Sequence, residues 1–450
     1  MSSDREATTS ERPSRAFRIR AGARIAAALL VAVGPPQAIA QEPSTPGSPA
    51  PPPPARPPLA AAVEAYLAIV ADAAAADALD ALLARDDVSG DAVHAIVTAR
   101  PPTLLQSRRI SLPHAGDDLV VDIRVPADRA DGETLPVLFV VNWSSPPLDD
   151  AIRDRVIVAE VPGYTPPQFS DVGRDGHMKI IRAVAHAAGG DPDSLWFTGY
   201  SWGGHASWDA ALHRPGVLRG FIGRGGGPLR QWFRLFPNLS GVRALAVCGA
   251  RDDPELVFNL GEVRRRATVA GFDYTYWQAA DHGHDQPLPG EHEAGKELLA
   301  TAPFDRATAA PDRGRLCADG AFVEHPLLRV LDVEPRRVAL PSRVRVPPTA
   351  TPDDQRRAMI DAMGAVATVD WRITTQADTK TLTLSQKGVR AVQVFLRAPW
   401  FAPGETVVVK AGRKTVFDGR LEPEPRALLE EVRRTGERQR PALRRVDVEF

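Results

Sequence analysis

The eight residues Thr198-Gly199-Tyr200-Ser201-Trp202-Gly203-Gly204-His205 constrain this chain more than any other stretch. They have the Gly-x-Ser-x-Gly spacing of a sharp strand-to-helix turn, in which a strained backbone lifts a serine hydroxyl clear of a sheet. Strand and helix close on each other at such a turn, so a side chain at residue 199 or 203 would collide, and glycine stands at both positions. The bare spacing is common by chance, and the flanks decide. Leu195-Trp196-Phe197-Thr198 is a short apolar run of strand type, and residues 205–213 can continue as a helix that stops before Pro215-Gly216. The sequence therefore predicts strand, turn and helix in that order, with Ser201 at the apex.

The surrounding pattern agrees. Between residues 106 and 302 short apolar runs alternate with amphipathic ones, the signature of an α/β domain with a largely parallel sheet and helices on both faces. Strands are expected at 109–112, 119–125, 136–142, 156–160, 195–198, 218–223, 244–249 and 274–278, the first two antiparallel at one edge. A helix over 171–188 ends at Gly189-Gly190. Residues 59–105 are Ala-rich, and predict two or three helices packed on the domain that follows. His94 there is expected to be a packing or surface residue. Residues 303–364 are a Pro- and Arg-rich connector with one short helix, stopped by Gly364. Short strand-like runs over 365–450, with a turn at Ala411-Gly412 and a helix over 426–434, predict a small β-sandwich-like domain. No repeat of solenoid or propeller period is visible.

At the other end, Arg15, Arg18, Arg20 and Arg24 precede the apolar run 25–33, and Ala38-Ile39-Ala40 fits a small-x-small cleavage site. Residues 1–40 thus read as an export signal with the mature chain starting near Gln41, which predicts a periplasmic or extracellular protein without stable membrane insertion after cleavage. An uncleaved anchor is the alternative, although the run is too short to span comfortably. Residues 41–58, with Pro51-Pro52-Pro53-Pro54, form a Pro-rich linker of polyproline type. The formal net charge of −1 over 450 residues gives no reason to expect a nucleic-acid partner. Two cysteines, Cys248 and Cys317, neither require nor exclude an oxidising compartment; a buried thiol is the ordinary reading of Cys248, and one disulfide is the alternative.

A serine hydroxyl needs a base to take its proton, and the imidazole that does so is held in one tautomer by a carboxylate. Downstream of Ser201 the chain offers both in that order: the run 244–249 leads into Asp252-Asp253-Pro254, and the run 274–278 leads into Asp281-His282-Gly283-His284. Asp252-Asp253 as a solvated turn, and His282 and His284 as a surface loop or, with His292, a metal site, are the bland alternatives. His205, on the helix that carries the serine, is expected to donate to a nearby loop.

With these residues in hand, the stretch from 106 to 302 resembles an α/β-hydrolase of the secreted serine esterase type, the group of polyhydroxybutyrate-depolymerase-like, feruloyl and acetyl-xylan esterases. The resemblance rests on Asp191-Pro192-Asp193 ahead of the serine turn, the Gly249-x-x-Asp252 turn and Gly283-His284. It implies an α/β-hydrolase fold, Ser201 as nucleophile, Asp252 as acid and His284 as base, with Asp253 and His282 as the neighbours that could serve instead. The oxyanion hole would use the backbone N–H of Trp202 and a second donor at Trp143, where the group usually has His-Gly and this chain has Asn142-Trp143. No cofactor is implied, and the substrate would be a small-molecule or polysaccharide-linked ester. A serine exopeptidase of prolyl-oligopeptidase type is the second reading, set back by the lack of room for a propeller between residue 59 and the core. A third, of another class, is a non-catalytic binding protein on a degenerate core, with Trp371, Trp400 and Phe401 as a carbohydrate platform. Trp143, Trp202 and Trp232 hint at a bulky substrate.

Overall fold

The computed structural model describes residues 57–450 apart from 70–71, 100, 102–103, 105, 115–116, 142–153, 163, 165–168, 286, 292, 296, 298–310, 342–343 and 365. The expected export signal and the linker up to residue 56 lie outside the described residues. The Ala-rich segment forms three short helices, Leu59–Leu67 (α1), Asp72–Leu83 (α2) and Gly90–Thr98 (α3). Ser89 opens the third by accepting the Ala92 N–H at 3.1 Å. Each buries one narrow stripe, such as Leu79 and Leu82 on α2 or Val93 and Val97 on α3. His94 is half-buried.

Next comes an eight-stranded sheet: Arg108–His114 (β1), Asp117–Arg124 (β2), Leu135–Val141 (β3), Ile157–Val161 (β4), Gly190–Tyr200 (β5), Gly220–Arg224 (β6), Arg243–Gly249 (β7) and Asp273–Ala279 (β8). After the first residue every position of β3 and β7 is buried, as a strand covered on both faces requires. The order is β1-β2-β4-β3-β5-β6-β7-β8; β2 pairs antiparallel with β1 and β4, and the remaining neighbours are parallel. One face packs on Asp171–Ala188 (α4), Trp202–His213 (α5), a 3₁₀ helix Arg230–Leu239 and Pro254–Ala270 (α6) in a large core that includes Phe139, Phe197, Trp208 and Leu260. Against the other face, Leu288 and Ala294 cover a smaller cluster with Trp196, Ile222 and Val247. Gly189, left-handed at φ 63°, ends α4 where the sequence placed the stop. The chain steps outward from β3 to β4 and then crosses back to β5, so a crevice opens at the carboxyl ends of these strands. This is the α/β-hydrolase fold.

Beyond it lies the β-sandwich, and here the expected boundary moves. Arg313–Ala318 (β9), Glu324–His325 (β10) and Leu328–Val333 (β11) come from the segment read as a connector. The remaining strands are Ala367–Gln376 (β12), Thr379–Lys387 (β13), Val389–Leu396 (β14), Thr406–Ala411 (β15), Lys414–Arg420 (β16) and Arg444–Glu449 (β17). They form sheets β10-β11-β14-β17 and β16-β15-β13-β12-β9 around one core. β9 escaped the sequence because it has only Leu316, Cys317 and Ala318 as apolar members, too few to show a period of two, whereas β11 is a single six-residue, mostly apolar run set in Pro- and Arg-rich sequence. Gly412, at φ 57°, makes the expected turn. Trp371, Trp400 and Phe401 are all buried in this core, so the carbohydrate platform is not there. Cys248 and Cys317 are free, buried thiols, and the disulfide is excluded.

Two helices tie the parts together. Pro352–Asp361 (α7), opened by a Thr351/Asp354 capping box, lies against α6 through Arg357–Glu262 at 3.0 Å and the Arg266–Asp361 pair. Pro425–Thr435 (α8) supplies Leu428, Leu429 and Val432 to the cluster that buries the stripes of α1 to α3. The N-terminal helices thus bury their stripes against the C-terminal helix, a partner the sequence did not suggest. Only pairing with the far end of the chain reveals this, and local periodicity carries no such information.

Candidate active site

β5 ends at Tyr200 and α5 begins at Trp202, so Ser201 is forced into the turn between them with φ 53° and ψ −111°. A non-glycine residue there is strained. The strain is held by the Ser201 N–H, which donates to the Arg224 carbonyl at 2.8 Å. A Cβ on Gly199 would sit 2.7 Å from the Gly203 Cα, which is the collision the spacing anticipates.

Two further strand ends deliver the partners. β7 runs into a tight turn in which the Asp252 N–H donates to the Gly249 carbonyl at 3.3 Å, leaving the Asp252 carboxylate buried. β8 runs into the loop that carries His284. His284 Nε2 lies 2.8 Å from Ser201 Oγ, and its Nδ1 lies 2.9 Å and 3.1 Å from the two Asp252 oxygens. An Nδ1–H donated to the carboxylate leaves Nε2 as acceptor for the serine hydroxyl. Asp252 Oδ1 also accepts the Asp253 N–H at 2.7 Å, which fixes the carboxylate in the plane it needs.

The two alternatives are placed elsewhere. Asp253 is the N-cap of α6, accepting the N–H groups of Glu255 at 2.7 Å and Leu256 at 3.2 Å. His282 has Asp285 3.5 Å from its Nδ1, and its carbonyl accepts the Arg251 N–H at 2.7 Å. His205 Nδ1 meets the Gly227 carbonyl at 2.6 Å, as a donor to a nearby loop should, and burial pulls its pKa down. His292 lies outside the described residues, among which no cluster of three His, Cys, Asp or Glu groups could hold a metal ion.

For the oxyanion hole, the N–H of Trp202 stands at the first position of α5, where no intrahelical acceptor exists and the helix dipole favours negative charge. Trp143 lies outside the described residues. The Trp202 indole packs 5.7 Å from the His177 ring and lines a small cavity with Phe169, Gly173 and Ala206. Trp232 is buried against Phe169 and His213, so it does not face a substrate as the sequence hinted.

Two neighbours went unnoticed in the sequence. Tyr200 donates its hydroxyl to the His284 carbonyl at 2.7 Å and lies ring to ring with its imidazole; its adjacency to Ser201 was the available signal. Cys248 places its thiol 3.6 Å from Asp252 Oδ2, and burial first, then the Asp252 charge, raises its pKa to about 12, so it stays a neutral donor behind the carboxylate. Nothing in a lone apolar-run cysteine points to that contact.

No protein-family model matches the chain, and no curated protein matches it. Among solved structures the chain is similar to dipeptidyl peptidase 4 of Porphyromonas gingivalis, with 17% identity, a TM-score of 0.33 and coverage of 47% of this chain and 36% of that one. It is similar also to the acylaminoacyl peptidase of Pyrococcus horikoshii, at 12% identity and TM-score 0.35, over 46% of this chain and 43% of that one. A thermophilic esterase of Thermogutta terrifontis gives 14% identity and TM-score 0.33, over 44% of this chain and 92% of that one. The chain thus spans little more than a third of the length of the first of these peptidases. TM-scores this low carry no argument about activity.

Proposed function

We propose that the protein is a serine hydrolase of carboxylic esters, with Ser201 as nucleophile, His284 as general base and Asp252 as the acid that orients it. The observation that carries this reading is the unbroken hydrogen-bond line from Asp252 through His284 to a hydroxyl held at a strained turn. Ser201 Oγ attacks the acyl carbon as its proton passes to His284 Nε2; the imidazolium then returns that proton to the departing alkoxide, leaving an acyl-enzyme. Water, deprotonated by the same imidazole, releases the acid and restores Ser201. The Trp202 N–H would receive the oxyanion, with a second donor from the 142–145 loop that includes Trp143, each worth about a hundred- to a thousand-fold in rate. No step requires a cofactor.

The ester reading is put ahead of the exopeptidase one on the esterase-like motifs Asp191-Pro192-Asp193, Gly249-x-x-Asp252 and Gly283-His284, and a comparison of substrates decides between them. Small-molecule or polysaccharide-linked esters are the proposed substrates. Export is part of the proposal, and amino-terminal sequencing of the mature protein is expected to begin near Gln41.

A fluorophosphonate probe tests the central claim. Labelling of the wild type that vanishes in Ser201→Ala, together with turnover of p-nitrophenyl esters far above that of aminoacyl-p-nitroanilides, is the expected result. An unlabelled wild type overturns the enzyme reading, and the reverse substrate preference overturns the ester half of it.

A further inference from the structure

We propose that Tyr200 is a positioning residue that holds the His284 imidazole in line with Ser201, gripping the base at its backbone and across its ring face. This rests on the serine-hydrolase reading and adds a fourth side chain to its machinery.

Two in-plane hydrogen bonds resist tilting of an imidazole out of its plane only weakly, and the last torsion of a histidine is broad. Something must press on a face to stop it. His284 is badly placed to find such support in the core, since its side chain is 44% exposed. Its loop is tied to the sheet before residue 284, through the Ala250 N–H to the Ala279 carbonyl at 2.9 Å and the Arg251 N–H to the His282 carbonyl at 2.7 Å. At residue 284 the tie is the Tyr200 hydroxyl, which donates to the backbone carbonyl at 2.7 Å. The same side chain lays its ring beside the imidazole, with centroids 5.0 Å apart and planes 32° from parallel.

Gly225 completes the arrangement. Its φ is 56°, and a Cβ there would lie 2.8 Å from Tyr200 Cε2 and 3.2 Å from His284 Cε1. Bare backbone therefore touches both rings, and a methyl group would wedge against them. Tyr200 belongs to the rigid end of β5, one residue before the nucleophile. The strand that sets the position of Ser201 thereby also sets the position of its base, and the distance between the two reacting groups becomes a property of a single element.

Misplacement of a reacting group by about 1 Å costs on the order of a hundred-fold in rate. Tyr200→Phe keeps the ring and loses the carbonyl tie, and kcat on a p-nitrophenyl ester is expected to fall about ten-fold with KM within about two-fold. Tyr200→Leu loses both contacts, and a fall of about a hundred-fold is expected, with Gly225→Ala between the two. The decisive measurement is a cycle with His284→Ala: a residue that acts only through His284 has no further effect once the imidazole is gone. In that background Tyr200→Phe is expected to leave the residual rate unchanged.

A loss that persists in the His284→Ala background, or that falls on KM, overturns the assignment, as do Tyr200→Phe and Tyr200→Leu proteins that turn over at the wild-type rate. Fluorophosphonate labelling separates the two levels of inference. An unlabelled wild type removes the hydrolase reading itself, whereas a labelled wild type with full-speed Tyr200 variants removes the positioning role alone. Tyr200→Phe is expected to melt within a few degrees of the wild type, so its rate loss reports on the base and not on the fold.

Discussion

Two imidazoles in this molecule make nearly the same first contact and can do entirely different things. His284 and His213 each hold an aspartate oxygen 2.9 Å from Nδ1, Asp252 in one case and Asp209 in the other. They differ at the second nitrogen. Nε2 of His284 meets the Ser201 hydroxyl, which can give up a proton, and its ring is open to solvent. Nε2 of His213 lies 3.4 Å from a second carboxylate, Asp319, while Arg174 bonds Asp209 from the far side through Nε at 2.9 Å and 3.0 Å. His213 is 2% exposed. A carboxylate behind an imidazole is therefore not what distinguishes a relay; the partner in front of it and the access of a substrate are. The second cluster instead fastens α5, the helix that starts after Ser201, to the loop after β9 in the sandwich.

The contrast is tested most severely at the carboxylates. Asp252→Asn is expected to lower kcat/KM by about ten-thousand-fold, because an amide no longer demands the tautomer with hydrogen on Nδ1. Asp253→Ala should leave activity within a few-fold and lower stability by about 1 kcal/mol, the worth of a helix N-cap. Ester turnover and urea unfolding of the two variants check this, and exchanged phenotypes would exchange the roles.

At the second cluster the expected effects move from rate to stability. His213→Gln opens a buried ion pair but leaves Asp209 its Arg174 partner, so the loss should fall near the low end for such changes, about 3 kcal/mol. Turnover at 25 °C should stay within about two-fold of wild type. A large loss of kcat in a protein that unfolds normally would mean that the fastening of α5 reaches the active site after all.

The sequence showed one of these clusters and hid the other, for a physical reason. Ser201, Asp252 and His284 follow the ends of three strands whose apolar runs are visible, so a known chain order places them at one end of the sheet. Choosing Asp252 over Asp253 required the helix that Asp253 caps, which is a matter of one residue. Asp209 and His213, four apart on α5, lie within a helix that sequence could place. Their partner Asp319 stands in the loop after β9, a strand with too few apolar residues to be seen, and so the cluster was invisible. The sandwich was legible from residue 367 onward; before it β9 is poor in apolar residues, and β11 is one short run in Pro- and Arg-rich sequence. The docking of α1 to α3 on α8 depends on contacts across more than three hundred residues, such as Asp80 with Arg426 at 2.7 Å, and no local pattern encodes them.

The smallest expected effect is the dependence of stability on pH. Burial alone would pull the pKa of His213 down, but Asp209 and Asp319 more than offset it, and the net direction is up. Arg174 opposes the proton, and Arg234 faces Asp319; both remain charged over the range concerned. A raised value means that the folded state binds the proton more tightly than the unfolded chain. The stabilisation is then complete below the unfolded value of about 6.5 and is lost as pH rises through the folded one, at about 1.4 kcal/mol for each unit of separation. The melting temperature of the wild type should therefore decline from about pH 6 upward, and His213→Gln should lack that component. The gap between the two proteins should accordingly narrow as the solution becomes alkaline. Parallel curves would show that the buried imidazole carries no charge. The second cluster would then be a neutral hydrogen-bonded clamp, and the difference between the two histidines would lie in access alone.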